Sequence, residues 1–413
     1  MSQSKKLIPK RRFREFKIDQ QWLTNKLVSM AEFSKGNGYS KNDLCECGLP
    51  ILLYGRLYTQ YKTVIESVDT FVKNRKDSIV FSSGNEVVVP ASGETAEDIA
   101  RASFIEQSGI IIGGDLNIIK PKAQIDPIFL AISLSNGKQR KELVKRAQGK
   151  TVVHIHNSDL KEVKFIFPEK KEQTQIGEFF RKLDNLIQTQ QKKLHKAKIL
   201  KSAYLAEMFP CDGELKPKLR FKGFSGSWSY IRLGDITKWS KGANLAKNVL
   251  NEDGKGNPVI HYADLYKFTP VIDEVIHWSD TEEGNIIPPN SLLFPMSDVT
   301  PNGLARTTTI IKENVRASGD TLIATISNDM LAEYLSYEIN ANCKKILPLV
   351  TGTTVRHISE DSLSTLLINN TDKIEQTKIG NFFKLLDQKI ALEQRKLDKL
   401  NNIKHAYLNE MFV

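Results

Sequence analysis

Apolar positions recur in steps of four and three along two stretches of the chain. The first runs through Ile176, Phe180, Leu183, Ile187, Leu194, Ala197, Tyr204 and Met208, with Gln190 and Lys201 as its polar interruptions. The second runs through Ile379, Phe383, Leu386, Ile390, Leu397, Leu400, Tyr407 and Met411, with Glu393 and Lys404 at the matching places. This spacing predicts two long helices, each with one apolar seam. Leu200 and Leu205 offer a neighbouring stripe, so the register is expected to shift near the end of the first. No proline interrupts either stretch, and Pro210 stops the first. About 38 residues at 1.5 Å each give a rod of roughly 57 Å. A long seam left in water is unfavourable. The two helices are therefore expected to pack on each other as an antiparallel coiled coil; the alternative is that each packs only on its own domain. Phe179 and Phe382 lie beside the seam and are expected to suit a further partner.

Elsewhere the period shortens. SIVFSS (78–83), NEVVVP (85–90), SGIIIGGDLNIIKP (108–121) and TTTIIKENV (307–315) read as strands punctuated by Gly, Pro and Asn. LCECGLPILLYGRLYTQY (44–61) and VIHYADLYKF (259–268) contain short β-rich runs. AEDIARASFI (96–105) and DMLAEYLSYEIN (329–340) read as short helices. The fold class is α+β, with globular parts of roughly 150 residues.

The chain also repeats itself. EQTQIGEFFRKLDNLI (172–187) returns as EQTKIGNFFKLLDQKI (375–390), an offset of 375 − 172 = 203. KSAYLAEMF (201–209) returns as KHAYLNEMF (404–412) at the same offset, and 21 of the 38 aligned pairs are identical. GKTVVHI (149–155) matches GTTVRHI (352–358). Arg12, Phe13, Trp22 and Lys35 correspond to Arg220, Phe221, Trp228 and Lys241; Tyr54 and Tyr58 to Tyr262 and Tyr266; Arg101 to Arg306. The chain is thus two tandem units, about 1–210 and 211–413, each a diverged globular part with a well-kept helical tail. A period near 200 is too long for a solenoid. It predicts a pseudo-two-fold molecule, like a dimer fused end to end.

The 413 residues carry 59 Lys and Arg against 48 Asp and Glu, a net charge of +11. That excess fits a nucleic-acid partner. The first 36 residues hold nine basic side chains against three acidic ones. No apolar run approaches the roughly 18 residues of a membrane span, and the basic N-terminus has no apolar signal core. Four cysteines exclude a disulfide scaffold, and a reducing cytoplasm is the expected location.

Enzyme motifs are missing. The GKT at 149–151 has Val144 where a phosphate-binding loop needs Gly. There is no GxGxxG. IIPPN (286–290) lacks the Asn or Asp before the proline pair of an amino-methyltransferase, and no Pro-Asp dipeptide marks a nuclease. Cys45 and Cys47, with Cys211 and Cys343 far away, do not make a zinc pattern, so no metal is expected. His154 and His357, at equivalent places, read as structural. Basic and aromatic loop residues remain. Arg56 between Tyr54 and Tyr58, Arg101, Arg306 and Arg356 are candidate DNA contacts, since arginine can read guanine and lysine positions phosphates.

The doubled tail EQTxIGxFFxxLDxxI…KxxYLxEMF resembles that of the specificity subunits of Type I restriction–modification systems. So do LRFKGFSGSW (219–228), YGRLYTQY (54–61) and SGETAEDI (92–99). RRFREF (11–16) departs from the pattern in lacking the Gly of RFKGF. The resemblance covers essentially the whole chain. It implies two target-recognition domains, 1–168 and 211–371, each reading half of a bipartite DNA site. It also implies a central helix at 169–210 and a C-terminal helix at 372–413. These set the spacing and dock two methyltransferase subunits, which methylate adenine at N6. Such a subunit is non-catalytic; S-adenosylmethionine, Mg and ATP would sit in the methyltransferase and motor-nuclease partners. The candidate DNA-binding residues become Lys35, Tyr54, Arg56, Tyr58, Thr59, Ser92, Thr95 and Arg101 in the first domain. In the second they are Lys241, Tyr262, Asp264, Tyr266, Arg306 and Arg356. The docking and coiled-coil residues are the seam positions with Phe179 and Phe382. The alternatives are a stand-alone sequence-specific DNA-binding protein and, third, a nuclease or fused methyltransferase.

Overall fold

The structure is a computed structural model that describes residues 7–16, 20–73, 78–149 and 151–413. Of the basic residues noted above, Lys5, Lys6, Lys17 and Lys150 lie outside the described residues. The chain divides into two compact units, Met1–Gln191 with Lys396–Val413, and Lys192–Arg395.

The first unit is built on a five-stranded sheet in the order Ala31–Lys35, Leu116–Pro121, Glu86–Pro90, Ser103–Ile105, Val64–Ile65. Its pairs are antiparallel except the last, which is parallel. The triple valine Val87–Val89 sits in the central strand and is fully buried, as a strand covered on both faces must be. A second five-stranded sheet contains Leu49–Leu52 and Ser108–Ile112 side by side. Between sheet and tail lies a helix, Pro127–Leu134. Asp126 caps it by accepting from the Phe129 amide at 3.0 Å, proline opens its first turn, and every residue from Ile128 on is buried.

The second unit repeats the plan. Its five-stranded sheet runs Thr237–Lys241, Thr321–Ile326, Ser291–Pro295, Thr308–Ile310, Val271–Ile272, again with only the last pair parallel. Its second sheet has four strands and pairs Asn257–Ile260 with Arg316–Ala317 in parallel. In both units a close backbone approach enforces glycine at one shared place. A Cβ on Gly36 would lie 2.0 Å from the Gly113 carbonyl oxygen, and one on Gly242 would lie 1.8 Å from that of Ser318.

The strand runs expected around 85–90, 108–121 and 307–315 contain the strands Glu86–Pro90, Ser108–Ile112, Leu116–Pro121 and Thr308–Ile310. DMLAEYLSYEIN contains the helix Ala332–Ala341. AEDIARASFI is different. Its helix stops at Ile99, and Ser103–Ile105 is a buried strand laddered to Glu86–Val88. Backbone pairing in the sheet overrides the helical spacing there.

Two helices of 39 residues, Lys170–Met208 and Lys373–Met411, carry the seams. In the first unit Phe179 meets Tyr407 with ring centroids 5.0 Å apart, Phe180 meets Phe412 at 5.9 Å, and Asp184 pairs with Lys404 at 2.5 Å. In the second, Tyr204 meets Phe382 at 5.1 Å, Phe209 meets Phe383 at 5.8 Å, and Lys201 pairs with Asp387 at 2.5 Å. Numbers rise along one helix as they fall along the other, so the packing is antiparallel. Each contact within one unit has its repeat equivalent within the other, with the helices exchanged. The polar interruption at Lys201 is therefore one half of an ion pair.

Each helix also packs on a domain of its own repeat. Ile176 and Phe180 join the core of Trp22, Phe129 and Phe165; Ile379 and Phe383 join that of Trp228, Tyr334 and Tyr337. A fully buried ring contributes about 1.5–3 kcal/mol, against ~0–1 for an exposed ion pair. The aromatic contacts therefore outweigh the partly exposed Asp184–Lys404 pair. Phe179 and Phe382, expected to wait for a partner, are taken by this chain: Phe179 also packs on Phe13 at 5.9 Å and Phe382 on Phe221 at 5.8 Å.

Candidate nucleic-acid interface

In the first unit the strand Leu49–Leu52 runs into a one-turn helix, Arg56–Thr59. Tyr54 and Tyr58 flank that turn with ring centroids 6.0 Å apart. Arg56 is ion-paired with Asp69, and the Thr59 hydroxyl donates to the Gly55 carbonyl at 2.8 Å. A second loop reaches the same segment through Arg101, which lies over Tyr61. Ser92 is buried in a two-residue ladder against His154, and Thr95 caps the turn Ala96–Ile99 by accepting from the Asp98 amide at 3.1 Å. Arg101 follows, 3.9 Å from Asp98 and over the Tyr61 ring at 6.0 Å. Burial, then Tyr54, then the acids Glu94 and Asp98 push the Tyr58 hydroxyl above its ordinary pKa. Lys35 joins them through Asp115, 3.9 Å away, whose carbonyl accepts from the Ala91 amide.

The second unit repeats the tyrosines and the arginine at equivalent positions but takes its acid from elsewhere. Tyr262 and Tyr266 flank the turn Tyr262–Tyr266 at 6.5 Å. The Tyr266 hydroxyl donates to the Ser297 carbonyl at 2.9 Å, and Arg306 lies over its ring at 5.4 Å while donating to its carbonyl at 2.9 Å. Ser297–Asp298 ladder against Arg356–His357. Burial opposes ionisation of Asp298, but hydrogen bonds from Thr300 and Tyr266 outweigh it and hold the carboxyl below its ordinary range. Burial first, and Asp298 next, hold Tyr266 well above the usual tyrosine value.

The acid reaches this grouping from opposite sides of the loop. Asp98 of the first unit corresponds to Gly303, and Gly93 corresponds to Asp298. A Cβ on Gly303 would lie 2.0 Å from Asp298 Oδ2, so the two acids exclude each other. No single-position comparison of the repeats shows this exchange.

Residues 19–198 and 226–402 match the family model described as the Type I restriction modification DNA specificity domain. The chain belongs to this family. It is a Type I specificity subunit that recognises DNA sequence and is itself non-catalytic. It is 25% identical over 324 residues to the putative type I restriction enzyme MjaX specificity subunit of Methanocaldococcus jannaschii, spanning 73% of this chain and 71% of the relative. Its fold is similar to that of the Type I restriction-modification S subunit from M. genitalium, with TM-score 0.66, 16% identity, and coverage of 98% and 99% of the two chains. It also resembles, at TM-score 0.50, 14% identity and coverage of 94% and 96%, a chain solved in work on complex assembly and conformational transition of the type I R-M system.

Within this specificity subunit the candidates fall into two groups. Tyr54, Tyr58, Ser92, Thr95 and Arg101, and likewise Tyr262, Tyr266, Arg306 and Arg356, line paired loops. Asp264 is buried at 1% exposure and is held inside its turn, accepting from the His261 amide at 3.0 Å and pairing with His277 Nδ1 at 2.8 Å. It thus anchors the turn through His277 as Arg56 does through Asp69. Lys241 is exposed, and its carbonyl accepts from Asn285 at 2.7 Å. Sequence reasoning did not single out Asp69, Asp98, His277 or Asp298, whose roles depend on long-range pairing. No helix of the described residues is long and apolar enough to cross a membrane.

Proposed function

We propose that each unit of this specificity subunit reads one half of a bipartite DNA site. The two long helices set the spacing and dock methyltransferase subunits, which methylate adenine at N6 in each half. One observation carries the reading: the same tyrosine and arginine frame occurs once per unit at equivalent positions, with its acid moved from Asp98 in the first to Asp298 in the second. Repetition of the frame fits one task performed twice, and divergence of its side chains fits two different targets. Two linked modules gain avidity only when both half-sites match their spacing. Leu186, Leu385 and Leu392 are exposed on the long helices. Apolar surface left over after the seam is filled supports docking over a stand-alone DNA-binding role. S-adenosylmethionine, Mg and ATP belong to the partner subunits in this reading, and the complex works in the cytoplasm.

The test is to map N6-methyladenine in cells carrying the chain with its methyltransferase and in cells lacking only the chain. A bipartite motif with one methylated adenine per half, present only with the chain, is the expected result. Unchanged methylation would remove the docking role.

A further inference from the structure

The loop tips of the two units differ in chemistry. In the second unit Val299 follows the Ser297–Asp298 ladder and is 75% exposed. Ser297 lies opposite His357 and Asp298 opposite Arg356, so the next positions outward are Val299 and Val355. Val355 is 46% exposed. Two β-branched apolar side chains thus stand in water at one loop tip, beside Arg356. The corresponding position in the first unit is Glu94, which is also exposed.

The tip is held rigid from behind. The Asp298 carboxylate accepts from the Thr300 amide at 2.7 Å and from its hydroxyl at 3.2 Å. Thr300 in turn caps the turn Pro301–Leu304, accepting from the Gly303 amide at 3.2 Å, and Pro301 fixes the backbone after it. Val299 lies between these constraints and contributes nothing to any buried core. A preorganised apolar side chain costs little ordering when it binds.

We propose that Val299, with Val355 beside it, contacts the C5-methyl group of a thymine in the major groove of the half-site read by the second unit. The inference rests on the reading that these loops face DNA. The thymine methyl is the apolar feature of base edges in the major groove, and it is matched by apolar side chains. Arg356 beside the tip supplies the positive charge that holds such a loop against phosphate. Glu94 in the first unit cannot make this contact; as an acceptor it suits an exocyclic amino group. The two units therefore discriminate different chemistry with the same loop.

The experiment uses the full-length chain. Selection from randomised duplexes first gives its preferred site, and each thymine of the second unit's half-site is then replaced by uracil, which lacks only the methyl. At one position uracil is expected to weaken wild-type binding about fourfold, the factor for one buried methyl. Val299→Ala should bind the thymine and uracil duplexes equally, while Glu94→Ala keeps the uracil penalty. An equal penalty in wild type and Val299→Ala, or no penalty at any thymine, overturns the proposal. Arg356→Ala separates the two levels. If it weakens binding to every sequence while Val299→Ala leaves the penalty in place, only the methyl contact falls. If neither variant changes binding, the DNA-facing assignment of the loop falls with it.

Discussion

Arg12 grips Glu172 with two parallel hydrogen bonds, Nε to Oε1 at 2.8 Å and Nη2 to Oε2 at 2.5 Å, in a site that leaves both side chains almost fully buried. Its third arm donates to the Gln20 carbonyl at 2.9 Å. Arg220 holds Glu375 the same way, at 2.6 and 2.7 Å, and donates to the Gly226 carbonyl at 2.7 Å. Each pair ties the opening of a repeat to the first turn of its long helix. Planar, two-pronged pairing is specific to arginine.

Arg12→Ala is expected to leave a buried, uncompensated carboxylate and to destabilise the first unit by about 3–5 kcal/mol. Arg12→Lys should fail to rescue it, because one ammonium cannot serve both oxygens. Denaturant unfolding followed by near-ultraviolet circular dichroism measures both. Equal stability of Arg12→Lys and wild type would refute the two-pronged role.

The two interhelical ion pairs predict an asymmetry. Asp387 is buried and also accepts from the Tyr337 hydroxyl at 2.9 Å, whereas Asp184 and Lys404 are partly exposed. Lys201→Met should therefore lower stability by about 1–3 kcal/mol through the buried carboxylate it strands, and Lys404→Met by less than ~1 kcal/mol. Thermal unfolding of the two variants tests the order.

Glu338 gives the second unit a pH dependence. It is fully enclosed, and burial pushes its carboxyl up to about 7 from an ordinary 4.5, despite hydrogen bonds from Asn369 and Asn342. The folded state therefore binds this proton more tightly than the unfolded chain does. The stabilisation is complete below pH 4.5 and is lost as pH rises to about 7. The loss is on the order of 3 kcal/mol. Glu338→Gln should remove that component, so that from pH 5 to 8 the variant's stability falls less steeply with pH than that of the wild type. Parallel curves would contradict it.

Cationic loop residues predict a salt effect. Replacing Lys35 or Lys241 by Gln should weaken binding to all duplexes alike. The slope of log K against log salt should become shallower by about 0.9 for each phosphate that the lysine no longer neutralises. An unchanged slope would place these lysines away from the backbone.

The legible parts of the fold were those set by local period. The seams from Ile176 to Met208 and from Ile379 to Met411 announced two helices, and the repeat already aligned Arg12 with Arg220 and Glu172 with Glu375. Phe104 and Ile105 were misread because a helical spacing and a buried strand look alike over so few residues. The occupation of Phe179 by Phe13 and Tyr407 depends on residues over a hundred positions away, which no local pattern carries. The loop groupings were hidden for the same reason: Tyr58 and Asp98, or Tyr266 and Asp298, lie far apart in sequence and interact only once the chain is folded. The move of the acid from Asp98 to Asp298 also breaks the repeat alignment where the site is most informative.

The central claim is that each unit reads one half-site independently. Its most direct test replaces residues 211–371 with the matching segment of a specificity subunit of different target and maps N6-methyladenine genome-wide beside the parent chain. The account predicts a new bipartite motif in which one half and the gap are kept and the other half is exchanged. A motif in which both halves change, or in which neither does, would contradict it.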